Sequence, residues 1–471
     1  MSEQSSSSIK LVRCIMSKGN GENPVALGSD MIGSFEVYES LESPFMAGKI
    51  LISDSKEFLN TYPIQGGENI EMEIKTSFNE APIVYKFQVA GIGSRVVKNK
   101  IQTYVLILIS AEGLVNEALR VQSPITGNPE AIVAKMLGSE YLDSKKDFYS
   151  EPSRFEVRLN PSRTRPFDII SKLLRKCVSA KTDYKGNKST NSTESAQQIK
   201  GSAGFFFWET RRGYNFFSID ALCDEKEGKF AAPKLQSESW GPYLERIANT
   251  EVSGDQRFLI ENVIFTSEIN LMESMRKGKY SSLMVFFNHS TGQYEEYVYK
   301  IKDSYNNMAH LGGQEAVSLV PANQIELSDY PSRVMSVLLD HESWYNESGI
   351  ANPEDENAKD PTKFADWQKY YAAQGAARSE LLRNQEATIK IPGNPDICAG
   401  DKIDIRLQNK APDGAKVRKP YDEESSGVYL VKEATQSYNF LEGNTGELKT
   451  TLRLCRDSYG MKDKPSNHGD K

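Results

Sequence analysis

Strict alternation of apolar and polar residues in short segments is the feature that most constrains the fold of this chain. In residues 69–75 (NIEMEIK), isoleucine and methionine alternate with Glu71 and Glu73. A β-strand directs successive side chains to opposite faces, so the apolar set is expected to be buried and the glutamates exposed. The same alternation recurs at 85–89, 388–391, 402–407 and 450–455. These segments predict antiparallel sheets with one face covered.

Strand signals dominate two blocks of similar character near the two ends of the chain. The first block is 1–122 and the last is 384–460, and each is expected to form a β-barrel. Between them, 123–260 is predicted to be a mixed α/β hairpin module. Residues 261–383 are predicted to be a helix-hairpin module with a helical linker, and 461–471 a flexible tail. The predicted class is therefore mainly β with α+β insertions.

Helices and hairpins are expected in the two middle blocks. Helices are predicted at 128–137, 165–177, 267–276 and 366–382, the third capped by Ser267. Two hairpins are predicted, one turning at Arg211 to Gly213 and the other at Ser290 to Gly292. The aromatic run 205–208 then becomes a buried central strand, and Arg211 and Arg212 become two charges at a hairpin tip.

Composition excludes several classes of protein. The 57 basic and 64 acidic residues give a net charge of −7, which argues against broad binding to nucleic acid phosphates. No apolar stretch approaches the length of a membrane span, and the mean hydropathy is −0.52. The polar start MSEQSSSSIK differs from a secretory signal, which predicts synthesis in the cytoplasm. The five cysteines lie far apart with no CxxC pair, which predicts free thiols.

The sequence contains no recognisable catalytic or cofactor motif. The four histidines are isolated, and no HxH, HExxH, P-loop or GxSxG pattern occurs. Gly91-Ile92-Gly93 lacks the third glycine of a dinucleotide fingerprint, and the surrounding residues predict a strand. No catalytic residue, metal site or cofactor is therefore predicted. Acidic pairs such as Glu71 and Glu73 leave a carboxylate-based hydrolase open by residue type.

Several short phrases, taken in order, resemble the central baseplate hub proteins of contractile-tailed bacteriophages of the T-even type. In the first block they are FEVYE (35–39), SPFMAGKI (43–50), SD (53–54), YPIQGGE (62–68), YVL (104–106) and SAE (110–112). Later ones are RPFDII (165–170), GFFFWE (204–209), FFSIDAL (216–222), RN (383–384), IKIPGN (389–394) and AGD (399–401). The likeness covers about residues 30–460. The Ser/Thr-rich segment 189–203 and the acidic segment 348–362 look like insertions.

The resemblance implies a fold and an assembly. Hub proteins of this kind contain two tube-type antiparallel β-barrels joined by other modules, and they form a homotrimeric ring. Six similar barrels then adapt a threefold cell-puncturing spike to a sixfold tail tube. The implied partners are the spike, the tube initiator proteins and the tape measure protein, and DNA passes through the pore without specific binding. The implied location is the tail baseplate of a virion made in the host cytoplasm.

Four residues are candidates for an outer barrel face, the lumen or an interface: Glu71, Glu73, Asp404 and Arg453. Two other functions remain open. A tail-associated peptidoglycan hydrolase predicts loss of turbidity of purified murein. A receptor-binding tail protein predicts that the isolated chain binds cell surfaces, whereas a hub binds the spike instead.

Overall fold

A computed structural model shows a mainly β protein with several sheets, which confirms the predicted class. The structure describes residues 7–77, 81–98, 101–154, 156–181, 203–225, 238–245, 256–267, 270–288, 293–313, 326–339, 361–410, 421–440 and 444–462. The predicted insertion at 189–203, apart from its last residue, lies outside these residues. So do 348–360 of the acidic segment and 463–471 of the predicted tail.

The strands of the first half alternate in burial as the sequence predicts, for example in the segment with Glu71 and Glu73. The strands are β1 Ser8–Ser17, β2 Val25–Ala26, β3 Ile32–Ser40, β4 Ala47–Asp54, β5 Asn69–Thr76, β6 Ile83–Lys98, β7 Ile101–Ile109, β8 Ile125–Gly127, β9 Phe148–Ser150, β10 Val157–Leu159, β11 Phe205–Thr210, β12 Gly213–Ser218, β13 Trp240–Glu245, β14 Leu259–Ile260, β15 Asn262–Ser267, β16 Ser281–Asn288, β17 Gln293–Lys300, β18 Arg333–Leu339, β19 Gln385–Pro392, β20 Lys402–Arg406, β21 Gly427–Phe440 and β22 Thr445–Arg456.

Helices are fewer than strands in this structure, and most of them are short. They are α1 Phe58–Thr61, α2 Ala111–Ala118, α3 Pro129–Leu137, α4 Pro166–Leu174, α5 Ile219–Cys223, α6 Leu271–Arg276 and α7 Pro361–Leu382. Proline opens both α3 and α4, as predicted, because its fixed φ suits a first helical turn. The predicted cap of α6 was wrong. Ser267 ends strand β15, and the Asn270 side chain instead accepts a hydrogen bond from the Glu273 N–H at 3.2 Å.

Eight strands form a closed cycle of antiparallel pairings. The order is β21, β3, β4, β7, β6, β5, β1 and β22, and β22 pairs back to β21. The interior of this cycle is filled by apolar side chains, among which Phe35, Met72 and Leu106 are fully buried. An eight-stranded closed sheet leaves just enough interior for side chains, so the cycle encloses a core and not a channel.

A second cycle shares the β21–β22 hairpin with the first. On one side β21 pairs with β20, β20 with β13 and β13 with β14. On the other side β22 pairs with β19 and β19 with β15. Only Glu261 separates β14 from β15, so the two sides meet in one extended stretch of chain. The Glu261 N–H also donates to the Lys390 carbonyl of β19 at 2.8 Å.

The shared hairpin shows that the two cycles are not built from separate blocks of sequence. Residues 384–460 supply four strands to the second cycle, and β13 to β15 supply the rest from 240–267. Two of those four strands, β21 and β22, also belong to the first cycle. Four strands alone are too few to close a cycle around a core, so strands from the middle of the chain complete it. The domain boundaries at 122, 260 and 383 stay a prediction.

The middle of the chain packs beside the two cycles. The predicted hairpins are confirmed as β11–β12 and β16–β17, in two three-stranded sheets. The aromatic run in β11 is mostly buried, as predicted, and Trp208 is fully inaccessible. The predicted central position was wrong, because β11 is an edge strand and β12 lies between β11 and β9. Helix α7 packs with the β16–β17 sheet around a second apolar cluster that contains Met284, Tyr299 and Leu381. Among the described residues, no helix is long and apolar enough to cross a membrane.

Candidate functional site

Two of the predicted site residues lie together on an outward face of the first cycle. The Arg13 guanidinium contacts Glu71 at 2.6 Å and Glu73 at 2.5 Å, across the β1–β5 pairing. Lys86 of β6 approaches the other oxygen of Glu71 at 3.6 Å. Half of the Arg13 side chain is exposed. The acidic pair is thus neutralised by basic neighbours, and exposed ion pairs of this kind contribute little to folding stability.

Asp404 and Arg453 lie on different strands and do not meet. Asp404 in β20 contacts Arg406 at 2.7 Å, and Arg453 in β22 contacts Glu433 of β21 at 2.9 Å. The alternation at 402–407 predicted an exposed polar face here, and that prediction was wrong. Asp404 and Lys402 are both buried, because Lys402 donates to the Asp224 carbonyl of a segment that covers this face. Arg453, by contrast, is exposed as expected.

The structure brings together buried polar residues that sequence reasoning missed. Glu39 of β3 is buried, and its two carboxylate oxygens accept backbone N–H bonds from Arg211 at 2.7 Å and Ala399 at 3.0 Å. Its carboxylate therefore ties the first cycle to the β11–β12 turn and to the loop before β20. Glu39 occurs in the hub-like phrase FEVYE, which was the only sequence signal for it.

The two arginines at the β11–β12 turn were predicted to be exposed, and they are not. Arg211 contacts Asp396 at 2.8 Å and Arg212 contacts Asp401 at 2.5 Å, each with about two thirds or more of its side chain covered. The Trp208 indole N–H donates to the Ala399 carbonyl at 2.9 Å. The turn is thus inserted against the loop that precedes β20, where its charges are neutralised by carboxylates.

A second buried carboxylate lies next to the turn of the same hairpin. Glu209 accepts hydrogen bonds from the Met46 N–H at 2.9 Å and the Ser110 hydroxyl at 2.6 Å. Its other oxygen contacts Lys146 at 2.6 Å, and Lys146 also contacts Glu112 at 2.6 Å. Burial raises the pKa of Glu209, although the nearby ammonium of Lys146 opposes the shift. The hairpin is therefore attached to β4 and α2 as well.

A buried ionic cluster joins α7 to the end of β22. Arg378 contacts Asp457 at 2.6 Å and Asp220 at 3.2 Å, and all three side chains are inaccessible. His310 Nδ1 lies 2.8 Å from Asp457, and its Nε2 lies 2.9 Å from the Tyr305 carbonyl. Burial opposes ionisation of Asp457, but the Arg378 guanidinium outweighs it and lowers the pKa. His310 is thus engaged in packing. The other histidines, His289, His341 and His468, lie outside the described residues.

One long strand edge in the first cycle has no partner among the described residues. Strand β6 pairs with β7 along residues 88–98 but with β5 only along 83–88. From Ala90 to Lys98 the β5 side of the strand is therefore open. Val96 and Val97 near the end of this strand are 60% and 63% exposed. Unpaired strand edges invite pairing with another chain, so this hairpin end is a candidate assembly surface.

The described residues therefore present buried polar anchors and an open strand edge, in a mainly β protein. They contain no group of three or more metal-ligating side chains. No protein-family model matches the sequence, and no curated protein sequence matches it.

Three solved tail-protein structures are similar to this chain. A tail protein from Neisseria meningitidis MC58 is 10% identical with a TM-score of 0.47, covering 94% of this chain and 96% of that chain. The 43 kDa tail protein of prophage MuSo2 from Shewanella oneidensis is 8% identical with a TM-score of 0.45, covering 94% and 98%. Prophage tail protein gp18 from Listeria monocytogenes EGD-e is 9% identical with a TM-score of 0.42, covering 94% of each chain.

The pKa of Glu39 leads to a prediction about pH. Burial raises this pKa from 4.5 to about 7, so the neutral form is favoured in the folded protein. The contribution of the Glu39 side chain to the free energy of unfolding is fully present below pH 4.5 and is lost as pH rises through about 7. We expect the stability advantage of the wild type over Glu39→Gln to fall by about 2–3 kcal/mol between pH 4.5 and 8. Urea denaturation of the wild type and of Glu39→Gln at both pH values measures this difference in stability.

Glu68 provides a control of opposite sign. Burial opposes its ionisation, but hydrogen bonds from the Gln65 and Gly66 N–H groups and the Lys18 ammonium together lower its pKa. The stability that it contributes is present above its unfolded pKa and is lost as pH falls. The advantage of the wild type over Glu68→Gln should therefore grow from pH 3 to pH 6. Equal pH profiles for the two variants would contradict the assignment for Glu39.

Proposed function

We propose that this chain is a structural hub protein of a phage contractile-tail baseplate. Three copies form a ring that adapts the threefold cell-puncturing spike to the sixfold tail tube. The observation that carries the proposal is the pair of strand cycles sharing the β21–β22 hairpin. We take each cycle as one tube-type barrel. Three chains then present six barrels, which matches both symmetries.

The shared hairpin supports this role because it fixes the spacing of the two cycles. Residues 433–439 of β21 pair with β3 of the first cycle, whereas 427–430 pair with β20 of the second. A single pair of continuous strands therefore runs through both. A flexible linker would let the two barrels reorient, whereas a continuous hairpin holds them at one distance. A ring that must match a sixfold tube requires a constant distance between its barrels.

Because side chains fill the interior of the first cycle, we expect DNA to pass outside it, between chains. The central pore is then lined by outward faces of the strands, and the net charge of −7 suits a channel that does not hold DNA. The face with Glu71 and Glu73, together with Arg453 on β22, remains a candidate for the pore lining or for an interface. Asp404 is buried and fits neither role in the isolated chain.

The proposal is tested by the mass of the purified chain. Light scattering should give three times 52.8 kDa for the chain alone, or, after addition of the candidate spike protein, the mass of a complex that contains three copies of the chain. A chain that stays monomeric in both cases would contradict the ring. Loss of turbidity of purified murein would instead support a peptidoglycan hydrolase. Binding of the isolated chain to host cells, with no binding to the spike, would support a receptor-binding protein.

The open edge of β6 leads to a prediction about assembly. If this edge contacts another chain, Val96→Lys together with Val97→Lys places two charges in that contact and weakens it. Both side chains are exposed in the single chain, so folding should be unaffected. We expect the ring to dissociate at concentrations at least tenfold higher than for the wild type. Light scattering over a dilution series measures this change.

Val84→Lys provides a matched control on the same strand. Val84 is 42% exposed and lies where β6 is paired on its β5 side, opposite Glu73. We expect this variant to assemble like the wild type, because the backbone edge is already occupied there. If the double variant assembles normally, the β6 edge is not part of the interface, but the proposed ring is not contradicted.

A further inference from the structure

A polar cavity of about 340 Å³ lies where α6, the end of α7 and strands β19, β21 and β22 meet. Its walls are formed almost entirely by charged and amide side chains. They include Glu42, Glu273, Lys277, Lys279, Glu380, Arg383, Asn384, Glu386, Lys432, Glu433 and Arg453. Apart from Arg453, none of these residues is among the candidates for the pore lining or an interface, and none belongs to the polar anchors of the β11–β12 hairpin.

Nearly every charge in the cavity wall is neutralised by a neighbour. Glu42 contacts Arg383 at 2.5 Å and Lys432 at 3.5 Å. The remaining ion pairs are Lys277–Glu273 at 2.7 Å, Lys277–Glu380 at 3.6 Å, Arg383–Glu380 at 3.8 Å, Lys432–Glu386 at 3.1 Å and Arg453–Glu433 at 2.9 Å. Every glutamate of the wall is thus in an ion pair, and with Lys279 the five basic residues balance the five glutamates.

Lys279 is the exception among the charged residues of this wall. Its side chain is buried, and its ammonium donates to the neutral Asn384 Oδ1 at 2.5 Å, with no carboxylate in ion-pair range among the described residues. The buried Nδ2 of Asn384 has no hydrogen-bond partner within the part of the chain that the structure describes. A cation without a counter-ion and a donor without an acceptor thus adjoin at one end of the same cavity. Both deficits would be met by a single anionic oxygen acceptor.

We propose that this cavity binds one carboxylate group, with the Lys279 ammonium as its counter-ion and the Asn384 amide as a second donor. A monovalent anion at Lys279 adds one negative charge to a wall whose five basic residues balance its five glutamates, whereas a dianion would add two. The carboxylate comes either from a small organic acid or from an acidic side chain of a partner chain. Burial lowers the pKa of Lys279 to about 8, although the charges of Glu380 and Asp457 oppose the shift.

The experiment compares thermal unfolding in acetate and in chloride at pH 7 and constant ionic strength. A ligand that binds only the folded state raises the unfolding midpoint with its concentration. We expect a graded rise for the wild type in acetate and none for Lys279→Met. The variant should fold, because methionine removes an unneutralised buried charge while replacing all of the lysine side chain except its ammonium. A capped peptide with one glutamate, tested in parallel, separates a free acid from a side-chain carboxylate.

Lys277→Met is the matched control. It removes a positive charge from the same wall, but one that is already paired with Glu273. We expect it to keep the acetate response of the wild type. If neither acetate nor the peptide raises the wild-type midpoint, or if Lys279→Met responds like the wild type, the site is refuted. Equal responses to acetate and phosphate would also overturn it, since they would indicate a general salt effect.

Discussion

Ile405→Asp should prevent the chain from folding into a soluble protein. Ile405 lies in β20, has no accessible surface and packs in the apolar core of the second cycle with Tyr243 and Tyr429. Both faces of β20 are covered, so the new carboxylate can reach neither water nor a basic partner. An unpaired charge buried in this way costs several kcal/mol, of the same order as the whole stability of a domain. Circular dichroism and the soluble fraction after expression measure the result.

The matched control for this prediction is Ile405→Val. It removes one methylene group from the same position and should lower the free energy of unfolding by about 1 kcal/mol. The valine variant should remain soluble and assemble normally. A soluble, assembled Ile405→Asp protein would refute the placement of β20 in a closed core, and with it the second cycle.

Arg378→Met should destabilise the protein by about 3–5 kcal/mol near pH 7. The guanidinium lies between the buried carboxylates of Asp457 and Asp220, at 2.6 Å and 3.2 Å. Removing it leaves two buried negative charges close together without a strong counter-ion. The cluster joins α7 to the end of β22, so the loss should loosen the middle modules from the two cycles. Urea denaturation followed by tryptophan fluorescence measures it.

Two further measurements distinguish a lost counter-ion from lost packing. The destabilisation by Arg378→Met should shrink as pH falls from 7 to 4, because protonation neutralises the orphaned carboxylates. Arg383→Met, on the same helix-to-strand connection, removes an exposed partner of Glu42 and should cost less than about 1 kcal/mol. A pH-independent loss for Arg378→Met would assign its role to packing alone.

Local features were predictable wherever one periodicity governed the segment. The alternation around Glu71 and Glu73 correctly predicted which side chains of β5 are buried, because one face of that strand covers the core and the other faces water. Pro166 correctly marked the start of α4. The hairpin at Gly213 followed from two apolar runs around a short charged turn. Each of these depends on interactions within about ten residues.

Prediction failed where a distant segment changed the environment. Alternation at 402–407 predicted an exposed face, but the segment with Asp224 covers Lys402. Arg212 was expected at an exposed tip, but Asp401, 189 residues away, neutralises it in a partly buried contact. The sequence around Glu39 gave no sign of its burial, because its two backbone donors lie 172 and 360 residues further along the chain.

The amino-acid sequence by itself determined the strand-rich class, the hairpins and most of the apolar faces, because these follow from side-chain spacing and short-range sterics. Only the tertiary structure decided that one terminal hairpin serves both strand cycles. It also decided that Tyr438 meets Tyr85 with their hydroxyl oxygens 2.8 Å apart, and that Lys279 donates to Asn384 with no described carboxylate in ion-pair range. The pairing of strands hundreds of residues apart depends on how all the apolar faces are covered together, which no local pattern encodes.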